Sequence, residues 1–163
     1  YGARHYQAVC EATMSLQIAA VANAIEAMSI AGLTIKDLDN IPTEVQRRGA
    51  YMIPMIDNPS DMAFSPEAFW SAGLRFYEVK YSLNYRLLFE PIGTGRIKTF
   101  ESVAGNVAMI GAILDKLLDT NPTISGVEEL LPQSVSAGVV DAPDGAKWWG
   151  ADISIRITEY VNP

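Results

Sequence analysis

The feature that most constrains this chain is a sustained two-residue alternation from Phe76 to Glu90. Tyr77, Val79, Tyr81, Leu83, Tyr85, Leu87 and Phe89 point one way, while Glu78, Lys80, Ser82, Asn84, Arg86 and Glu90 mostly point the other. A helix would scatter these apolar side chains around its axis; an extended strand gathers them on one face. At about 3.3 Å per residue the stretch reaches about 50 Å, against ordinary strands of about 5 to 6 residues. One end is therefore expected to bend or to project beyond the domain body, where it favours contact with a neighbour.

A strand with one apolar face needs a second layer to cover it. Ile18, Val21, Ala22, Ile25 and Met28 recur at helical steps and predict a helix between Ser15 and Ala31, with Gly32 as its left-handed stop. After Pro91, Gly93 and Gly95, the residues Val103, Val107, Ile110, Leu114 and Leu117 predict a second helix, N-capped by Thr99 and ended by Asn121-Pro122. Leu33 to Val45 reads as irregular or briefly extended. Ala50 to Asp57 reads as a strand that Pro54 pushes toward an edge or a bulge. Residues 58 to 75, with Pro59, Pro66 and Gly73, read as a long connection carrying Met62, Phe64, Phe69 and Trp70. An acidic passage from Gly126 to Pro132 then leads to a short strand through Val135, Ala137 and Val139. Asp144-Gly145 is a turn before Trp148 and Trp149, and Ala151, Ile153, Ile155 and Ile157 form one face of a closing strand. The order is helix, strand, long loop, long strand, helix, strand, strand. It predicts an α+β fold, a mostly antiparallel sheet with two main helices packed on one face.

The 163 residues suit one domain, read as an N-terminal extension over 1–14 and a single α+β unit over 15–163. Tyr1 rather than Met opens the chain, and Met14-Ser15 would itself make a plausible start. A net charge of -7 opposes the basic footprint that tight nucleic-acid binding demands. Cys10, the one cysteine, has no intrachain disulfide partner, which points to a reducing compartment. The longest apolar run, Val107 to Leu114, is far short of the ~18 to 20 residues that span a bilayer. Residues 1 to 30 lack the basic-then-apolar order of a signal peptide, so a soluble protein with no membrane contact is expected.

Catalytic patterns are not evident. His5 and Cys10 are five apart, on different faces of a helix, and make neither a nucleophile pair nor a metal site. Gly93-Thr94-Gly95-Arg96 lacks the ending of a phosphate loop and reads as a strand-to-helix turn. Asp141, Asp144 and Asp152 lack the spacing of a calcium loop, and the adjacent Glu128 and Glu129 read as a solvated acidic loop. No metal, cofactor or enzymatic activity is expected. What stands out is apolar and placed on connections: Met62, Phe64, Phe69 and Trp70 in one, Trp148 and Trp149 in another. Such aromatics are enriched at protein interfaces, so these six are the candidate interface residues, with one side chain of the tryptophan pair expected to point inward.

Three segments together carry a resemblance: YSLNYRLLFEP over 81–91, the helix from Val103 to Leu118, and KWWGADISIRITEY over 147–160. On these the chain resembles the tail terminator proteins of long-tailed bacteriophages over about residues 15 to 161. In that family a helix, a strand hairpin with a mobile loop, a second helix and a terminal hairpin with an aromatic-rich strand follow in the same order. The resemblance implies a non-enzymatic virion protein, assembled in the bacterial host cytoplasm, whose copies form a hexameric ring. That ring would cap the tail tube, stop its polymerisation and meet the neck or head-completion proteins, with DNA only passing through. By position, Asn58 to Gly73 would correspond to the mobile hairpin loop and Phe76 to Phe89 to the long sheet strand. The chain departs from the family by its extra N-terminal residues and its longer, more aromatic loop. Acidic groups facing the channel would let DNA pass without adhering. The alternatives are another tail or neck component, such as a tube subunit that polymerises head to tail, or a cytosolic ligand-binding α+β domain, which would need a concave pocket with convergent polar groups.

Overall fold

The computed structural model describes residues 16–71, 74–93, 99–119 and 124–161. The alternating stretch is one strand, and it is the axis of a six-stranded sheet. In chain order the elements are α1 (Ile18–Glu26), β1 (Leu33–Ile35), β2 (Ala50–Met55), a 3-10 turn (Pro59–Met62), β3 (Phe64–Ser71), β4 (Leu74–Pro91), α2 (Thr99–Asp119), β5 (Val127–Asp141) and β6 (Lys147–Val161). The sheet order is β1-β2-β4-β6-β5, with β3 also on β4. Along one side β4 pairs with β6 from Tyr77↔Val161 to Pro91↔Trp148. Along its other side β2 and β3 lie in tandem, β2 against Asn84–Leu88 and β3 against Leu74–Tyr81. All these pairings are antiparallel; the short β1 runs parallel to β2. The expected α+β class with a mostly antiparallel sheet is what the structure has.

The odd-numbered face of β4 is buried as the alternation requires: Val79, Tyr81, Leu83, Tyr85 and Leu87 join Ala151, Ile153, Ile155 and Ile157 of β6 in one cluster. Val21 and Ile25 of α1 and Ile110, Ile113 and Leu117 of α2 sit in the same cluster, so both helices cover this face. Removing this apolar area from water, at about 25 cal/mol per Å², is the main drive for folding. α1 is short. It stops at Ala27, five residues before Gly32, because the chain must turn to lay β1 beside β2, and Gly32 serves that turn at φ 77°. Its N-terminus has no side-chain cap of its own. Instead Glu159, 1 % exposed on β6, accepts the Gln17 N–H at 2.8 Å, placing a carboxylate at the positive end of the helix.

The other face carries a smaller core at one end, where Ile53, Leu88, Val140, Ala142 and Trp148 pack together and Ile41 and Val45 cover them. Next to it on that face lie the polar register pairs Arg86–Asp152 and Asn84–Ser154.

Four expectations need correction. Residues 58 to 75 are not a plain connection: Pro59–Met62 form the 3-10 turn, Phe64–Ser71 form β3 and Leu74 already opens β4, with Phe64↔Tyr81 through Ser71↔Leu74 in register. Gly126 to Pro132 is not a loop, since β5 starts at Val127 and passes through Pro132 with a register shift between Pro132 and Ser134; an edge strand tolerates a missing donor there. Trp148 and Trp149 belong to β6. On α2 the buried residues are Ser102, Asn106, Ile110, Ile113 and Leu117, while Val103 and Val107 are exposed. Pro54 lies as expected where β2 has only one neighbour, because β1 reaches no further than Met52. The Thr99 cap and the Asn121-Pro122 stop lie outside the described residues.

Candidate interaction surface

Among the described residues the β3–β4 hairpin extends past the end of β6: Leu74 to Phe76 pair with β3 alone, and the β4–β6 pairing starts at Tyr77↔Val161. On this arm Phe64 and Trp70 share the face of Tyr81 by register. Phe64 is 44 % exposed and its ring lies 5.2 Å from that of Tyr81, tilted by 32°, so part of it returns to the protein's own core. Trp70 is 69 % exposed. Met62 is half-buried against the main core. Phe69 is in register with Phe76, and its side chain lies outside what the structure describes. The hairpin thus exposes Phe64, opposite Tyr81 in the body of the sheet, and Trp70, opposite Arg75 in the part that extends past β6, on one face of β3.

The tryptophan pair divides. Trp148 is fully buried in the smaller core, where its ring meets Tyr51 edge-on at 6.3 Å, so it is a core residue rather than an interface residue. Trp149 lies on the opposite face and is half-buried.

Sequence reasoning missed an exposed apolar face on α2. Val103, Val107 and Leu118 are 41 %, 57 % and 59 % exposed, and between Ser102 and Leu114 the helix carries no charge. Besides its core residues Ile110, Ile113 and Leu117, the helix is held by a polar contact at an irregularity. Leu88 pairs with Gly150 and Glu90 with Trp149, so Phe89 has no cross-strand partner; there Asn106 Nδ2 donates to the Gly150 carbonyl oxygen at 2.9 Å. The Phe89 ring leans on Gly105, where a Cβ would come within 2.7 Å of it.

Several charged groups of the sheet are engaged with one another. Arg86 binds Asp152, Lys147 binds Asp141, Arg156 approaches Glu129 at 3.6 Å, and Asp144 Oδ1 accepts the Ala146 N–H at 3.1 Å. The three aspartates considered for calcium therefore have separate structural partners. Tyr160 donates toward Glu128 and Glu78, and these carboxylates push its hydroxyl up to about 12. Lys80 and Tyr160 together hold the Glu78 carboxyl below its usual range. Burial, and next the nearby Glu159 carboxylate, push the Tyr81 hydroxyl up.

Among the described residues, no group of three or more His, Cys, Asp or Glu comes together to hold a metal, and no helix is long and apolar enough to cross a membrane. His5, Cys10 and residues 94–98 of the glycine-rich turn lie outside the described residues. A groove of about 460 Å³ between Ile41–Thr43, Ile53–Asp57 and Asp141–Pro143 is lined by aliphatic side chains together with Thr43, Asp57, Asp141 and Arg86, whose guanidinium is committed to Asp152. No family model matches the chain, and no curated protein matches it.

Proposed function

We propose that this chain is a structural virion protein of the tail terminator type. Its copies form a hexameric ring that caps a tail tube, stops its polymerisation and joins the tail to the neck, without catalysing a reaction. The observation that carries the reading is the β3–β4 hairpin, whose outer strand β3 exposes Phe64 and Trp70 at the margin of the sheet, where a neighbouring subunit gains apolar contact without unfolding anything. The element order of the resemblance supports it, with the mobile loop represented by the 3-10 turn and β3. The pairing of Lys80, Arg86, Lys147 and Arg156 on the sheet with carboxylates, within a chain of net charge -7, supports a lumen that lets DNA through without holding it. A lumen lined by Lys and Arg would refute that last element.

Negative-stain electron microscopy and light scattering on the purified protein test the proposal. Discrete six-fold rings that bind the ends of isolated tail tubes are the expected result. Open-ended tubes would instead make the chain a tube subunit. A protein that stays a single chain at high concentration and ignores tail tubes would remove the proposal altogether.

A further inference from the structure

Among the described residues β5 pairs with β6 alone, so its outer edge presents a row of backbone N–H and C=O groups. Its first half is protected as edge strands usually are, by two register shifts, by Pro132 and by Glu128 and Glu129. Its second half is bare. From Ser134 to Asp141 the register against β6 runs without a shift, and Ser134 to Val140 contains no charge and no proline. Ser136, Ala137 and Val139 are exposed. An edge of this kind is a template for another extended strand.

The same chain carries a strand that fits. β3 spans eight residues, as does Ser134–Asp141, and among the described residues it pairs only with β4. Three antiparallel steps separate β3 from β5, so the two run in opposite directions. A second copy placed beside the first in the same orientation therefore sets its β3 antiparallel to β5 and continues the sheet from chain to chain.

We infer that Ser134–Asp141 of one copy takes β3 of the next copy as an added strand, a head-to-tail contact that deepens the ring reading and rests on it for the choice of occupant. The two edges stand at opposite corners of the sheet. β3 lies beside Leu74–Tyr81, whereas the bare half of β5 lies, through β6, across from Asn84–Pro91. Neighbours are thus shifted along the strands by about ten residues, roughly 33 Å at ~3.3 Å each, and the strands are inclined to the ring axis as in other closed sheets. Pairing β5 with β5 across a two-fold at Ala137 would close at two chains and leave β3 uncovered.

Two lysine pairs at exposed positions test this, each placing one charge on either face of a strand: Ser136→Lys with Val139→Lys on β5, and Ser65→Lys with Ala68→Lys on β3. Native mass spectrometry reads assembly and circular dichroism reads folding. Each double variant alone is expected to be a folded single chain. An equimolar mixture is expected to give a 1:1 dimer, because it retains one intact β5 edge and one intact β3 edge. Rings persisting in both variants overturn the strand pairing and leave the ring reading standing; a wild-type chain that never assembles removes both. A β3 variant that dimerises by itself places β5 on β5 and overturns the inference. Should either lysine pair unfold the chain, Ala68→Cys with Ala137→Cys in a Cys10→Ser background replaces them. Under mild oxidation, covalent ladders beyond two chains support the pairing, and dimers or no cross-links overturn it.

Discussion

Arg86 of β4 and Asp152 of β6 are register partners whose side chains close a two-pronged ion pair on the polar face of the sheet. Nε donates to Oδ1 at 2.7 Å and Nη2 to Oδ2 at 2.9 Å, while Nη1 reaches the Asp141 carbonyl oxygen on β5 at 3.1 Å. One guanidinium thereby ties three strands together, and the Asp152 carboxylate raises its already high pKa. Because Asp152 is 44 % exposed, solvent screens the pair, and Arg86→Met is expected to cost about 1 kcal/mol. A double-mutant cycle with Asp152→Asn, read by urea unfolding, should show a coupling of roughly 0.5 to 1 kcal/mol. Strict additivity would mean that Arg86 acts through packing alone.

Gly150 and Gly111 should respond in opposite directions to the same substitution. A Cβ at Gly150 would sit inside the Leu87 carbonyl group and within 2.8 Å of Val140 Cγ2, and strand backbone cannot move aside cheaply. Gly150→Ala is expected to cost more than about 3 kcal/mol or to prevent folding. Gly111 is exposed on α2 with nothing within 4 Å of the added atom, so Gly111→Ala should stabilise by up to about 1 kcal/mol. Thermal melts of the two variants decide it, and a stable Gly150→Ala protein would contradict the β4–β6 register.

The long strand was legible because burial on one face and solvent on the other leave an unambiguous period of two; β4 and β6 both show it. β3 was not, because Pro66 and Glu67 interrupt its composition and it lies at the margin of the sheet, paired only with β4 among the described residues. The β5 edge was legible only in its second half, where Val135, Ala137 and Val139 alternate; a proline and two glutamates hide the first half, which an edge strand accommodates. Of the six candidate interface residues, Phe64 and Trp70 are exposed on the hairpin, whereas Trp148 is core. Position next to a turn signal does not reveal which face of a strand a residue takes, and a one-residue step reverses it.

α2 misled for a definite reason, and the reason can be measured. Its buried stripe begins with the polar Ser102 and Asn106, the latter bonded to Gly150, so a search for apolar spacing settles on Val103 and Val107 one position away. Val107→Ala should change the stability of the isolated subunit by no more than about 0.5 kcal/mol, while Ile113→Ala, at a fully buried position, should cost about 3 kcal/mol. Chemical denaturation under conditions that keep the chain monomeric separates the two. Equal losses would restore the apolar stripe that the spacing suggests.

Glu26, at the end of α1, lies against Asp37, and their shared hydrogen bond raises the Glu26 pKa above its usual 4.5; partial burial and the Asp37 charge add to this, and Lys36 opposes it. The buried Tyr85 hydroxyl, itself raised by burial and then by Asp37 and Glu26, lies within reach of the same charges. A carboxyl whose folded pKa exceeds its unfolded one favours the folded state below the unfolded pKa, and that contribution is lost as pH rises through the folded pKa. At neutral pH the two carboxylates therefore oppose each other. Glu26→Gln keeps a hydrogen-bond donor toward Asp37 and removes one charge, so it should raise the Tm at pH 7, and that advantage should shrink toward pH 4 as Glu26 itself takes up a proton. Melting curves of both proteins at the two pH values supply the check; a Tm difference independent of pH would show that the carboxyl pair does not form in solution.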